Sequence, residues 1–89
     1  MNNFLPIGTI VLLKDAKKRI LIVGYLPQEN GSDKTFDYSG VPFPDGLIDS
    51  KKILLFDHSQ IDKICHNSII DKEVMEMINK VKKVKSEGN

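Results

Sequence analysis

Apolar residues come in short runs separated by polar, glycine- or proline-marked gaps over the first two thirds of the chain, and only the last stretch changes to a helical period. Residues 9–14 and 19–25 are rich in β-branched side chains and too short for a typical helix. The polar gap at 15–18 between them suits an antiparallel hairpin, although it lacks Asn-Gly or Asp-Gly. Both runs are nearly continuous in apolar residues, as expected of strands covered on both faces by a closing barrel wall, a helix or a partner. Residues 26–33 read as a loop with Asn30-Gly31 at its tip, residues 34–38 alternate as a third strand, and residues 52–56 form a fourth. Residues 57–60 read as a turn, with Ser59 and Asp62 spaced like a cap and its reciprocal partner. Residues 61–66 alternate weakly and form a last short strand.

Ile70, Val74, Met77, Ile78, Val81 and Val84 then make one stripe on a 3.6-residue period. Asn67 or Ser68 is placed to cap this helix, Asp71 and Glu73 stand in its first turn, and Lys80, Lys82, Lys83 and Lys85 crowd its other end, each sign where the dipole favours it. The expected fold is a single α+β domain over residues 1–85, with residues 86–89 as a frayed tail. It is a small antiparallel sheet or partly closed barrel of about five strands with a C-terminal amphipathic helix.

Composition narrows the function by exclusion. At 89 residues the chain is one domain. A hydrophobic share of 40%, a charged share of 28% and a formal net charge of +1 give no general pull toward nucleic acid or membrane. No apolar run approaches the roughly 20 residues of a membrane span. The first six residues have neither a basic start nor a long apolar stretch, so no signal peptide is expected. The lone Cys65 cannot staple the fold and is expected to pack in the core. A reducing, cytoplasmic setting fits it.

The most distinctive stretch is residues 36–46: Phe36, Asp37, Tyr38, Ser39, Gly40, Val41, Pro42, Phe43, Pro44, Asp45 and Gly46. Rings and backbone punctuation together point to a bent connection of fixed shape, because Pro42 and Pro44 hold the residues before them extended. Phe36, Tyr38 and Phe43 could stack on bases as in a small nucleic-acid-binding barrel. Yet no Lys or Arg between Thr35 and Ser50 is there to hold a phosphate backbone. Asp57, His58 and Ser59 carry the residue types of a catalytic triad, but sequence neighbours do not converge as triad members must. Asp37 and Asp45 are turn residues before they are an acid–base pair. Cys65 and His66 are adjacent and lack the spaced-pair pattern of zinc ligands. The residues therefore point to no catalytic group, metal or cofactor, with a minor metal or hydrolase activity at His58 as the alternative.

Four blocks of the chain carry a resemblance: residues 5–13, residues 20–24, the F-D-Y-x-G-x-P-x-P-x-G run at 36–46, and residues 56–64. Together they resemble a small domain-of-unknown-function family of Gram-positive bacteria, encoded beside type VII secretion genes and their LXG-type toxins. The chain departs from its relatives after Ile64, where Cys65, His66, Asn67 and Ser68 replace an aromatic stretch and the helix ends rich in lysine. The resemblance implies a non-enzymatic accessory protein that binds a toxin or a secretion component before export, as a targeting factor or chaperone. Phe36, Asp37, Tyr38, Gly40, Val41, Pro42, Phe43, Pro44 and Gly46 are the expected partner-binding or loop-shaping residues. Val74, Met77, Ile78 and Val81 are the helix face that packs on the sheet or on a partner, and homo-oligomer formation is compatible with either.

Overall fold

A computed structural model describes residues 3–88. Met1 and Asn2, part of the segment read above for a signal peptide, and Asn89, the last residue of the tail, lie outside the described residues. Five strands form one antiparallel sheet: β1 (Ile10–Leu13), β2 (Arg19–Tyr25), β3 (Tyr38–Phe43), β4 (Leu54–Phe56) and β5 (Ile61–His66). The order is β4-β3-β2-β1-β5, so the sheet is open, with β4 and β5 at its edges, and does not close into a barrel. The single α-helix among the described residues, α1 (Lys72–Glu87), follows β5.

The hairpin forms where the apolar runs place it, with Ile10 opposite Leu21 and Val11 opposite Ile20. Asp15 takes the left-handed backbone conformation (φ 63°) that Asn-Gly would have supplied, and the turn closes from Ala16 N–H to the Leu13 carbonyl. The third strand differs from expectation. It begins at Tyr38, where the alternating pattern was expected to end, and the proline-bearing run is the strand itself. Residues 26–37 instead form an arm tied at its base by Phe36 N–H to the Pro27 carbonyl and by a bridge between Gln28 and Thr35. Pro42 is tolerated because β4 flanks β3 only from Tyr38 to Gly40. Beyond that point β3 is an edge, where a residue without an N–H leaves no ladder broken.

One face of the sheet and α1 enclose the core: Phe4, Val11, Ile20, Ile22, Tyr38 and Phe56 against Ile78 and Val81. The helix is rotated from its expected setting. Val74 and Met75 pack beside Ile78 and Val81, whereas Met77 and Val84 are 49% and 56% exposed. The row that meets the sheet is 74, 78, 81 and 85, a helical spacing that ends on Lys85 in place of Val84. Ile70 lies before the helix, which is capped by Asp71 and not by Asn67 or Ser68: Asp71 Oδ1 accepts Val74 N–H at 2.9 Å. Ser68 N–H turns to Thr9 Oγ1 instead. Helical geometry persists through Ser86 and Glu87, with Gly88 as the C-cap. Cys65 is exposed, contrary to its expected core position, because β5 is an edge strand whose residues are almost all open to solvent.

Candidate functional site

Residues 36–46 are split by strand alternation between two jobs. Tyr38 and Gly40 face the helix side. Tyr38 is fully buried, edge-on to Phe4 at 5.7 Å and tilted against Phe56 at 5.5 Å. Gly40 admits no side chain, because a Cβ there would press on Ile20 Cγ2 and sit 2.9 Å from the Leu21 carbonyl oxygen. Val41 and Phe43 face the other way, and the Arg19 guanidinium lies over the Phe43 ring at 5.0 Å. Phe36 is half-buried beneath the Lys34 ammonium, 4.6 Å from its ring centre. Gly46 closes the run in a left-handed turn (φ 78°) by donating to the Pro42 carbonyl, while exposed Asp45 pairs with Lys18, which holds its carboxyl below the usual range. Pro44 is exposed and follows Phe43 through a cis peptide bond.

Asp37 organises a polar cluster where β3, the 57–60 turn and the end of α1 meet. Its carboxylate is buried, with Oδ2 accepting His58 N–H at 2.9 Å and Oδ1 accepting Lys85 Nζ at 2.6 Å. In return its N–H donates to Asp57 Oδ1. The turn is locked by Asp57 N–H to Gln60 Oε1 and Gln60 N–H to the Asp57 carbonyl, so Gln60 fills the reciprocal role expected of Asp62. The Tyr38 hydroxyl accepts Leu5 N–H and stands 2.9 Å from His58 Nδ1. Burial pushes the Tyr38 phenol up to about 12 and lowers the His58 imidazole, with Asp37 opposing the latter. The Asp57-His58-Ser59 triplet makes no catalytic relay. Asp37 reaches the backbone of His58 and not its ring, Asp57 serves the turn, and Ser59 is exposed. The open cleft beside it is lined by Thr35, Asp37, Asp57, His58, Ser59 and Lys85. No cluster of metal-ligating side chains occurs among the described residues.

The second face of the sheet stands apart from both core and cluster. Register sets Ile10, Leu21 and Val41 in one cross-strand row and Leu12, Arg19 and Phe43 in the next. Ile10 and Val41 are buried and Leu12, Leu21, Phe43 and Leu55 are half-buried, yet none belongs to the cluster under α1. Val23 is 43% exposed. The 44–53 connection does not bury its own apolar side chains, for Leu47 and Ile48 are among the most exposed in the chain. The near-continuous apolar strands are thus covered by the helix on one side only.

A family profile described as "Domain of unknown function (DUF4176)" matches residues 4–77. The chain belongs to this family. No curated protein and no solved structure matches it. The matched span contains the whole sheet, the 36–46 run and the His58 turn, and stops inside α1, so Ile78, Val81 and Lys85 lie beyond it. No helix among the described residues is long and apolar enough to cross a membrane.

The expected site residues therefore fall into three groups. Asp37, Tyr38, Gly40, Pro42 and Gly46 shape the fold, Val41 and Phe43 belong to the second face, and Phe36 and Pro44 lie at the margins. Sequence reading missed Lys85 and Tyr25. The Tyr25 hydroxyl donates to the Leu5 carbonyl at 2.6 Å, and its phenol is raised by burial. It also missed the second-face partners Arg19, Leu21 and Val23. The continuous apolar character of β1 and β2 was the signal for these last.

Proposed function

We propose that this DUF4176 protein is a non-enzymatic, cytoplasmic accessory protein that binds a type VII secretion substrate, an LXG-type toxin, and acts as its targeting factor or chaperone before export. The observation that carries the binding role is the second face of the sheet outside the helix-covered core, where half-buried Leu12, Leu21 and Phe43 and exposed Val23 present apolar surface around buried Ile10 and Val41. The groups that could have served chemistry support a role without a reaction, since Asp37, Asp57 and His58 fix a turn. The secretion part of the proposal is supported by the resemblance of residues 5–13, 20–24, 36–46 and 56–64. Affinity purification of the tagged chain from its native host with mass spectrometry tests it. A toxin or secretion component is expected to co-purify, and to be depleted with Phe43→Ala and Val23→Asp while His58→Ala leaves it in place. Recovery of no such component at native expression refutes the proposal.

A further inference from the structure

We propose that the occupant of the second sheet face is a single amphipathic α-helix with acidic flanks, presented by a partner protein. This inference rests on the binding role proposed above and specifies what is bound.

Width sets the first constraint. Neighbouring strands lie about 4.8 Å apart, so β1 to β3 span about 10 Å, the diameter of one α-helix with its side chains. A helix laid on an apolar sheet face is also the usual way such a face is covered, and α1 does this on the opposite side. The second constraint is charge. Extending the rows across β5 sets Lys63 beside Leu12 and His66 beside Ile10, so one row runs Lys63, Leu12, Arg19, Phe43. Arg19 and Lys63 are exposed, and the carboxylate nearest them in β5 is Asp62, the extra residue at the β1–β5 register shift beside Lys63. The adjoining β1–β2 turn adds Lys14 and Lys17 against Asp15, while Lys18 is paired with Asp45. An aliphatic centre with a basic border is complementary to a helix whose apolar stripe is edged by Asp or Glu. A second copy of this chain fits less well, since the carboxylates it brings, Asp15, Asp62 and the Lys18-paired Asp45, are outnumbered by its own Lys14, Lys17, Lys18, Arg19 and Lys63. Single-stranded nucleic acid fits less well too. The centre of the face is aliphatic, and its one ring, Phe43, is already covered by Arg19.

The test uses the partner recovered by native co-purification and three exposed positions whose replacement spares the core. A photo-crosslinking residue at Val23 is expected to join a partner segment with apolar residues at helical spacing and flanking Asp or Glu. Arg19→Glu with Lys63→Glu is expected to weaken binding about tenfold at low salt, with the gap narrowing as salt rises. Thermal melting near wild type shows that the variants are folded. A crosslink to a basic or non-helical segment, a crosslink to a second copy, or unchanged affinity on charge reversal overturns this inference and leaves the binding role standing. Recovery of no partner at all overturns both.

Discussion

Replacing Asp37 with alanine is the sharpest test of how residues 36–46 hold the domain together. The carboxylate is buried and accepts two hydrogen bonds, from His58 N–H and from Lys85 Nζ. Removing it leaves the His58 N–H short of its acceptor inside a half-buried turn, at about 1–3 kcal/mol. The ion pair adds little more, about 0–1 kcal/mol, because the Lys85 side chain is 43% exposed and screened by solvent. The expected loss is about 1–4 kcal/mol, out of a total stability of about 4–13 kcal/mol for a chain of this length. Urea unfolding followed by circular dichroism should show it, and thermal melting should show Tm lowered by about 5–30 °C. Two companions apportion the effect. Asp37→Asn keeps an oxygen for His58 N–H and should cost about half as much, and Lys85→Met keeps the aliphatic stem and should cost under about 1 kcal/mol. An Asp37→Ala protein within about 0.5 kcal/mol of wild type refutes the argument. So does a Lys85→Met variant as damaged as Asp37→Ala, for then the ion pair and not the backbone acceptor is what matters.

Gly40→Ala should destabilise by about 1–3 kcal/mol in urea unfolding, because the new methyl meets Ile20 and the fixed Leu21 carbonyl and the strand must shift to admit it. The rotated helix predicts that Met75→Ala costs about 1–2 kcal/mol while Met77→Ala stays within about 0.5, and the reverse ranking would restore the stripe centred on Met77. The Tyr38 phenol is raised from 10.0 to about 12, so folding favours its neutral form. Stability is full below pH 10 and falls by up to about 3 kcal/mol as pH climbs through 12, a loss that Tyr38→Phe should abolish in alkaline melts. The His58 imidazole is lowered from 6.5, so the folded state again favours the neutral form. Stability should be full above about pH 6.5 and decline below it, and a His58→Gln variant should show a flatter acid limb.

Local pattern was enough to place β1, β2, β4 and β5, because each apolar run is short and bounded by punctuation, and enough to assign α1 as a helix. It misplaced the start of β3. Residues 34–38 alternate as well as many strands do, and nothing local reveals that Thr35 and Phe36 pair back on Gln28 and Pro27 while the proline-bearing run lies against β2. Edge status decided that question, and edge status is a property of the assembled sheet. The helix phase was missed for a related reason. Apolar residues at 74, 77, 78, 81 and 84 leave two settings about equally good, and Lys85 selects one by reaching the buried Asp37, a contact 48 residues away in sequence. Cys65 looked like a core residue by type, and only the position of β5 at the edge exposes it.

Strand alternation also explains how one short run can carry both the fold and the proposed contact. On β3, Tyr38 and Gly40 point at the helix side, where the ring fills the core and the missing side chain lets Ile20 and Phe56 close over the strand. Val41 and Phe43 point at the second face, where they continue the rows begun by Ile10, Leu21, Leu12 and Arg19. The two sets share a backbone, so the polar cluster that anchors β3 through Asp37 also fixes the register in which Val41 and Phe43 are displayed. A one-residue slip of β3 would exchange the faces and bury Phe43 while presenting Tyr38. Asp37, held by the His58 backbone N–H and by Lys85, therefore acts on the proposed binding face from the far side of the sheet. It holds the strand that carries Val41 and Phe43 without itself lying on that face.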